Sequence, residues 1–163
     1  MSDPSAAATE RYLKAAIALS IANVAEGGGP FGAVIVKNGE IVARGQNRVT
    51  VSHDPTAHAE VVAIRAACAA LGDYSLAGCS LYSSCEPCPM CLAAAYWARL
   101  DAIYFAATRD DAAAAGFDDA FLYDELIRPI AQRTIPTAAI AELRAAAEAA
   151  FAAWNAAQTK TPY

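Results

Sequence analysis

Two short segments, His58-Ala59-Glu60 and Pro87-Cys88-Pro89-Met90-Cys91, constrain this chain more than anything else in it. Together they offer one imidazole, two thiols and one carboxylate. Two thiolates and a neutral imidazole cancel the charge of Zn²⁺ and fill three of its four tetrahedral positions. The fourth is left for water, the mark of a catalytic rather than a structural zinc.

The pattern along the chain predicts the elements that carry these segments. Residues 9–26 read as a helix, with Leu13, Ile17, Ile21 and Val24 at helical spacing and Gly27-Gly28-Gly29-Pro30 as the stop. Phe31 to Lys37 and Glu40 to Gln46 read as two strands joined at Asn38-Gly39, a strong hairpin signal. Asp54-Pro55 is expected to open a second helix, with Asp54 as N-cap and Pro55 at the first position. That helix turns Val61, Ile64, Cys68 and Leu71 inward and ends at Gly72. Cys79 to Ser84 is the third strand, 88–98 a helix with Pro89 in its first turn, and Asp101 to Ala107 the fourth strand. Short helical pieces are expected around 110–115 and 120–127. A long alanine-rich helix follows over about 137–157, with Ile140, Leu143, Ala147, Phe151 and Trp154 as its apolar stripe. A hairpin followed by alternating helices and strands means α/β layers around a mixed sheet, antiparallel in the hairpin and parallel after it.

On this reading His58 falls in the first or second turn of its helix, and Cys88 and Cys91 begin another. Helix N-termini lower thiol pKa values and favour thiolate ligands, and the i, i+3 spacing lets both cysteines face one ion. Glu60, two residues after His58, does not share its helical face and is a poor fourth ligand. Its side chain suits a proton shuttle from a metal-held water to a leaving nitrogen.

The 163 residues suit a single domain, 1–163, with a helical tail from about 135. No apolar run is long enough for a bilayer, and the start lacks a signal pattern, so a cytoplasmic protein is expected. The net charge of −5 and the acidic stretch 108–125 argue against a nucleic-acid partner. Five cysteines, three of them crowded together, are unlike a secreted disulfide framework. Other readings of the cysteines stay open. Cys85 could complete a structural zinc site, Cys85-x-x-Cys88-x-x-Cys91 is part of an iron–sulfur run that Ala95 does not continue, and Cys-x-x-Cys alone could be a redox pair. Cys68 and Cys79 read as core and His53 as a surface turn residue.

The H-x-E…P-C-x-x-C pattern resembles the signature of the cytidine deaminase-like superfamily. Within it the chain is similar to bacterial guanine deaminases over nearly its whole length. The supporting segments are Gly28 to Lys37, Gly45-Gln46-Asn47, Asp54 to Val61, Ser84 to Leu92, Tyr96-Trp97-Ala98-Arg99 and Ala115-Gly116-Phe117-Asp118-Asp119. Beyond Ile135-Pro136 the tail turns alanine-rich and departs from the family pattern.

The resemblance implies a three-layer α/β/α sandwich around a mixed sheet of about five strands. It implies one Zn²⁺ per subunit, held by His58, Cys88 and Cys91, and hydrolytic deamination of guanine to xanthine and ammonia by zinc-hydroxide attack at C2. Glu60 would shuttle protons and Asp119 would contact the guanine amino group and help move them. Asn47 would bind the purine, Ala59 would lie against it, Phe31 and Trp97 would form apolar walls, and Tyr163 would close the pocket. The implied assembly is a homodimer that exchanges its C-terminal segments. Taken without the resemblance, Asn47 can also be read as a turn residue, Phe31 and Trp97 as core, Asp119 as a solvated carboxylate and Tyr163 as a frayed end. The zinc motif alone also suits guanosine, cytosine, a guanine-like triazine or tRNA adenosine as substrate, or a non-catalytic structural zinc module.

Overall fold

The structure, a computed structural model, describes residues 4–162 and divides into two compact units, Met1–Asp119 and Ala120–Tyr163. The first is built around a four-stranded sheet in the order β2-β1-β3-β4, with β1 Gly32–Lys37, β2 Glu40–Gln46, β3 Cys79–Cys85 and β4 Ala102–Ala107. The β1–β2 hairpin is antiparallel, as Asn38-Gly39 requires; both residues have positive φ, 52° and 83°. β1 also pairs antiparallel with β3, and β3 pairs parallel with β4, so the sheet is mixed.

β1 is buried on both faces, and its side chains alternate accordingly. Ala33 and Ile35 join the core under α3 (Ala59–Leu71) and α4 (Pro89–Trp97). Val34 and Val36 join Tyr12 and Tyr82 under α1 (Ala6–Ala25). This is the expected α/β/α layering. The sheet has four strands among the described residues, against about five expected. Thr108 turns the chain out of the extended state directly after β4. Its backbone N and hydroxyl both donate to the Asp111 carboxylate at 2.8 Å, and its hydroxyl accepts from the Asp111 backbone N, a capping box that opens α5 (Arg109–Ala114).

Two expectations about the first unit are corrected. The buried face of α1 is Tyr12, Ala16, Ser20 and Asn23, whereas Ile21 and Val24 are exposed. Small residues stand at Ala16 and Ser20 because α1 lies close on the sheet there: a Cβ at Gly32 would meet the Ala16 carbonyl and the Ser20 amide. Asp54 does not cap a helix. Its Oδ1 accepts from the backbone N and hydroxyl of Thr56 at 2.8 and 2.7 Å, closing a local turn, and α3 begins later with His58 at its N-cap. A short α2 (Val49–Ser52), not anticipated, ends at His53 in the left-handed region, which is exposed as expected of a turn residue. Gly72 ends α3 in the left-handed region, as its sequence position implies.

The second unit holds α6 (Ala120–Ile127), two short 3₁₀ turns and α7 (Arg144–Ala156). The tail helix starts later than 137 because the Thr137 hydroxyl donates to the Ile135 carbonyl at 3.0 Å, holding a turn, and no polar cap follows before Arg144. Among the described residues no helix is long and apolar enough to cross a membrane.

Gly45 of β2 sets how near α3 can lie, since a Cβ there would meet the Ala59 carbonyl oxygen and the Ala63 amide nitrogen. Gly45→Ala is expected to cost about 1–3 kcal/mol of stability by overpacking, read as a lower denaturant midpoint at unchanged slope. A midpoint equal to wild type would show that α3 moves freely from the sheet.

Candidate metal centre and active site

The residues that line the cleft gather at one end of the sheet. Phe31 precedes β1, Asn47 follows β2, Cys85 ends β3 with Cys88 just beyond it, and Arg109 follows β4. Open α/β sheets bind ligands at such carboxyl ends. The N-termini of α3 and α4 point to the same place, with His58 and Cys88 each in the N-cap position and Pro89 opening α4. Two partial positive charges therefore converge where thiolates and a metal-held oxygen need them.

His58, Cys88 and Cys91 place their ligand atoms within 4.8 Å of one another. His58 Nδ1 lies 3.5 Å from both sulfurs. In a tetrahedron, zinc–sulfur bonds of about 2.3 Å and a zinc–nitrogen bond of about 2.0 Å set that separation near 3.5 Å. The donor set and its spacing thus fit Zn²⁺. Cys85 does not complete the site: its thiol donates to the Thr108 carbonyl at 3.4 Å, and the only cluster of three or more candidate ligands among the described residues is His58, Cys88 and Cys91. Three protein ligands leave the fourth position open, which disfavours the closed structural site, and Cys88 and Cys91 pair with an imidazole rather than form an isolated redox pair.

The charges are coupled. Hydrogen bonds from Cys91 and His58 pull the Cys88 thiol down to about 4 against its burial, so it is a thiolate at neutral pH. The Cys88 thiolate beside it and burial push the Cys91 thiol upward. His58 is raised, chiefly by its hydrogen bond to Cys88. Glu60 is 5% exposed, and desolvation raises its pKa. Its Oε1 accepts from the Ser83 hydroxyl at 3.2 Å and its Oε2 from the Cys91 thiol at 3.4 Å.

A cleft of about 560 Å³, counted with its open mouth, leads from this cluster to solvent. Phe31, Asn47, Cys85, Phe117 and Asp119 line it together with His58, Glu60 and Cys88. Phe31 and Phe117 meet edge to face at 5.0 Å between ring centroids. Burial and the Cys88 charge raise Asp119, whereas Arg109 lowers it.

The cleft therefore brings together Phe31, Asn47, His58, Glu60, Cys88 and Asp119, with Cys91 beneath. Ala59 packs its methyl group in the core under α3 instead. Trp97 is not in the cleft: it is 65% exposed at the end of α4, with the Arg99 guanidinium 5.8 Å from its ring centroid. Tyr163 lies outside the described residues. Sequence reasoning missed Ser83, which nothing in Ser83-Ser84 singles out until β3 aims it at Glu60. It also missed Glu86 and Arg109, paired at 3.6 Å on the cleft wall.

The sequence profile of the cytidine and deoxycytidylate deaminase zinc-binding region matches residues 7–107. The chain belongs to that family. It is similar to guanine deaminase from Bacillus subtilis, at 62% identity over 128 residues, which are 78% of this chain and 82% of that protein. The crystal structure of guanine deaminase from the same organism superposes with a TM-score of 0.88 at 54% identity, covering 94% of this chain and 98% of that one. A tRNA-specific adenosine deaminase of Aquifex aeolicus is 43% identical over 98 residues, 60% of this chain and 65% of that protein. The chain is thus a zinc-binding deaminase homologue, and the deaminase-family region falls in the first unit.

One zinc per chain is expected by native mass spectrometry, with Cys91→Ala losing it. At a hundredfold excess of free zinc over its dissociation constant, binding to the folded state alone adds about 2.7 kcal/mol of stability. A melting temperature indifferent to zinc would count against this centre.

Proposed function

We propose that this chain deaminates guanine hydrolytically to xanthine and ammonia. The observation that carries this reading is the cleft itself, which lines Asp119 and Asn47 up with Glu60 and the ligand triad between apolar walls. The similarity to guanine deaminase supports it, since it spans most of both chains. The net charge of −5 sits poorly with a tRNA substrate.

Bound Zn²⁺, held by His58, Cys88 and Cys91, supplies a Lewis acid that brings the pKa of water towards neutrality. Asn47 and the Phe31 wall position the purine, and the Asp119 carboxylate accepts hydrogen bonds from its exocyclic amine. A pocket that pairs polar groups in this way discriminates against bases lacking the amine. Glu60 accepts a proton from the attacking water and passes it to the ring nitrogen beside C2. The new C2–O bond forms, Glu60 takes the second proton from that oxygen and with Asp119 delivers it to the amine, and the C2–N bond breaks to release ammonia as the C2 carbonyl forms. Burial raises the Glu60 pKa towards the working pH, which suits a group that must accept and return a proton. The Ser83 hydroxyl orients the carboxylate during that cycle.

The reading extends to the whole chain: one deaminase domain over 1–163, acting in the cytoplasm as a homodimer that exchanges the tail from about residue 135. Two features support the exchange. Ile140, Leu143 and Phe151 of the tail are exposed, and so is Trp97, an apolar wall in the implied site. All five cysteines are free, as suits a reducing compartment.

The test incubates zinc-loaded protein with guanine, guanosine, cytosine and adenine separately and follows ammonia. Release from guanine alone is expected. Release from guanosine would place the ribose in the cleft, and silence on all four with zinc present would overturn the reading. Glu60→Gln is expected to keep zinc and lose about 10²–10⁴-fold in turnover, and Asp119→Ala to keep zinc and lose guanine turnover. Sedimentation should show a dimer of the full chain, whereas a chain ending before 135 should be monomeric; a dimer in both cases would remove the tail from the interface.

A further inference from the structure

Asn23 is a polar residue on the inward face of α1, completely buried, and outside the lining of the cleft. Its amide is fully occupied. Nδ2 donates to the Asn47 carbonyl at 2.7 Å and to the Gly29 carbonyl at 2.7 Å. Oδ1 accepts from Arg48 Nη1 at 3.1 Å, and Arg48 is itself paired with Glu26 at 3.1 Å. The backbone carbonyl of Asn23 accepts from the Gly28 amide at 2.9 Å. Two walls of the cleft are thereby tied to one side chain, since Gly29 leads into Phe31, and Asn47 N donates back to the Phe31 carbonyl at 3.1 Å.

The fit leaves no slack. A Cβ at Gly28 would fall on the Asn23 amide, and one at Gly29 would lie 3.0 Å from Asn47 Oδ1. Placing a fully buried amide in a helix interior has a cost unless its hydrogen bonds are made, and here all of them go to the segments that carry Asn47 and Phe31.

Resting on the reading of Asn47 as the residue that binds the base, we propose that Asn23 is a positioning residue for base recognition. It sets where the Asn47 side chain stands in the cleft and touches neither substrate nor metal. The interaction it sets is made equally in the ground state and the transition state, so its loss raises KM and leaves kcat alone.

The test is a kinetic cycle on the zinc-loaded enzyme, run on whichever base the wild type turns over fastest. Asn23→Asp keeps shape and acceptors but removes both donors and sets an anion against two carbonyl oxygens. It is expected to raise KM by about tenfold, the order of one hydrogen bond lost to the base, with kcat and zinc content unchanged. In an Asn47→Ala background the same change is expected to add nothing, because the two act through one contact. Gly29→Ala, which crowds the Asn47 side chain directly and leaves the Asn23 side chain intact, is expected to reproduce the KM rise and keeps the test decisive if Asn23→Asp fails to fold. Affinity for the deaminated product of that base, measured by calorimetry, should weaken by the same factor as KM rises. A KM equal to wild type in the variants, or effects that add in the double variant, would overturn the proposal. A wild type that prefers another base would overturn only the guanine reading, since the Asn23–Asn47 coupling is still measured on that base.

Discussion

Two helix N-termini meeting over one trio of donor atoms is the constraint on which the rest of the first unit depends. His58 and Cys88 stand thirty residues apart, yet His58 Nδ1 lies 3.5 Å from the Cys88 sulfur. That separation can be held only if α3 and α4 start at the same edge and lie close on the sheet. Gly45 permits the approach of α3, and the small residues of the α3 core face, Ala59, Ala63 and Ala67, are packed completely. The polar consequence follows from the packing: Glu60, one residue inside α3, is carried into the same dry space beside Cys91.

Burial decides how those groups behave. A carboxylate with this little exposure would ordinarily be protonated or paired, and Glu60 is raised for that reason. A cation in the ligand trio supplies the opposing charge, so the site is electrostatically complete only with its metal. Cys88, lowered to about 4, is already in the form a metal takes. The cleft above is lined by the partly exposed Asp119 and by the paired rings of Phe31 and Phe117, so it offers a ligand both polar and apolar surface.

Much of this was legible beforehand. His58, Cys88, Cys91 and Glu60 were readable because ligand chemistry depends on residue type and spacing. The hairpin at Asn38-Gly39 and the stop at Gly72 were readable because positive φ is a local demand. The start of α3 was not, because the Asp54–Thr56 turn competes for the same backbone groups and wins. The inward face of α1 is not legible for a different reason: an apolar stripe signals burial only where the neighbouring surface is ordinary, and Gly32 brings the sheet unusually close.

The sequence by itself determined the donor set, the metal it suits and the alternation of helices and strands, all of which follow from residue chemistry and short-range backbone preference. Tertiary structure alone decided that Ser83 faces Glu60, that Cys85 turns to Thr108 instead of the ligand trio, and that Asn23 joins α1 to Asn47. These contacts link residues far apart in the chain. They exist because strand register and helix approach distance, set by the packed sheet as a whole, bring particular side chains within hydrogen-bonding reach.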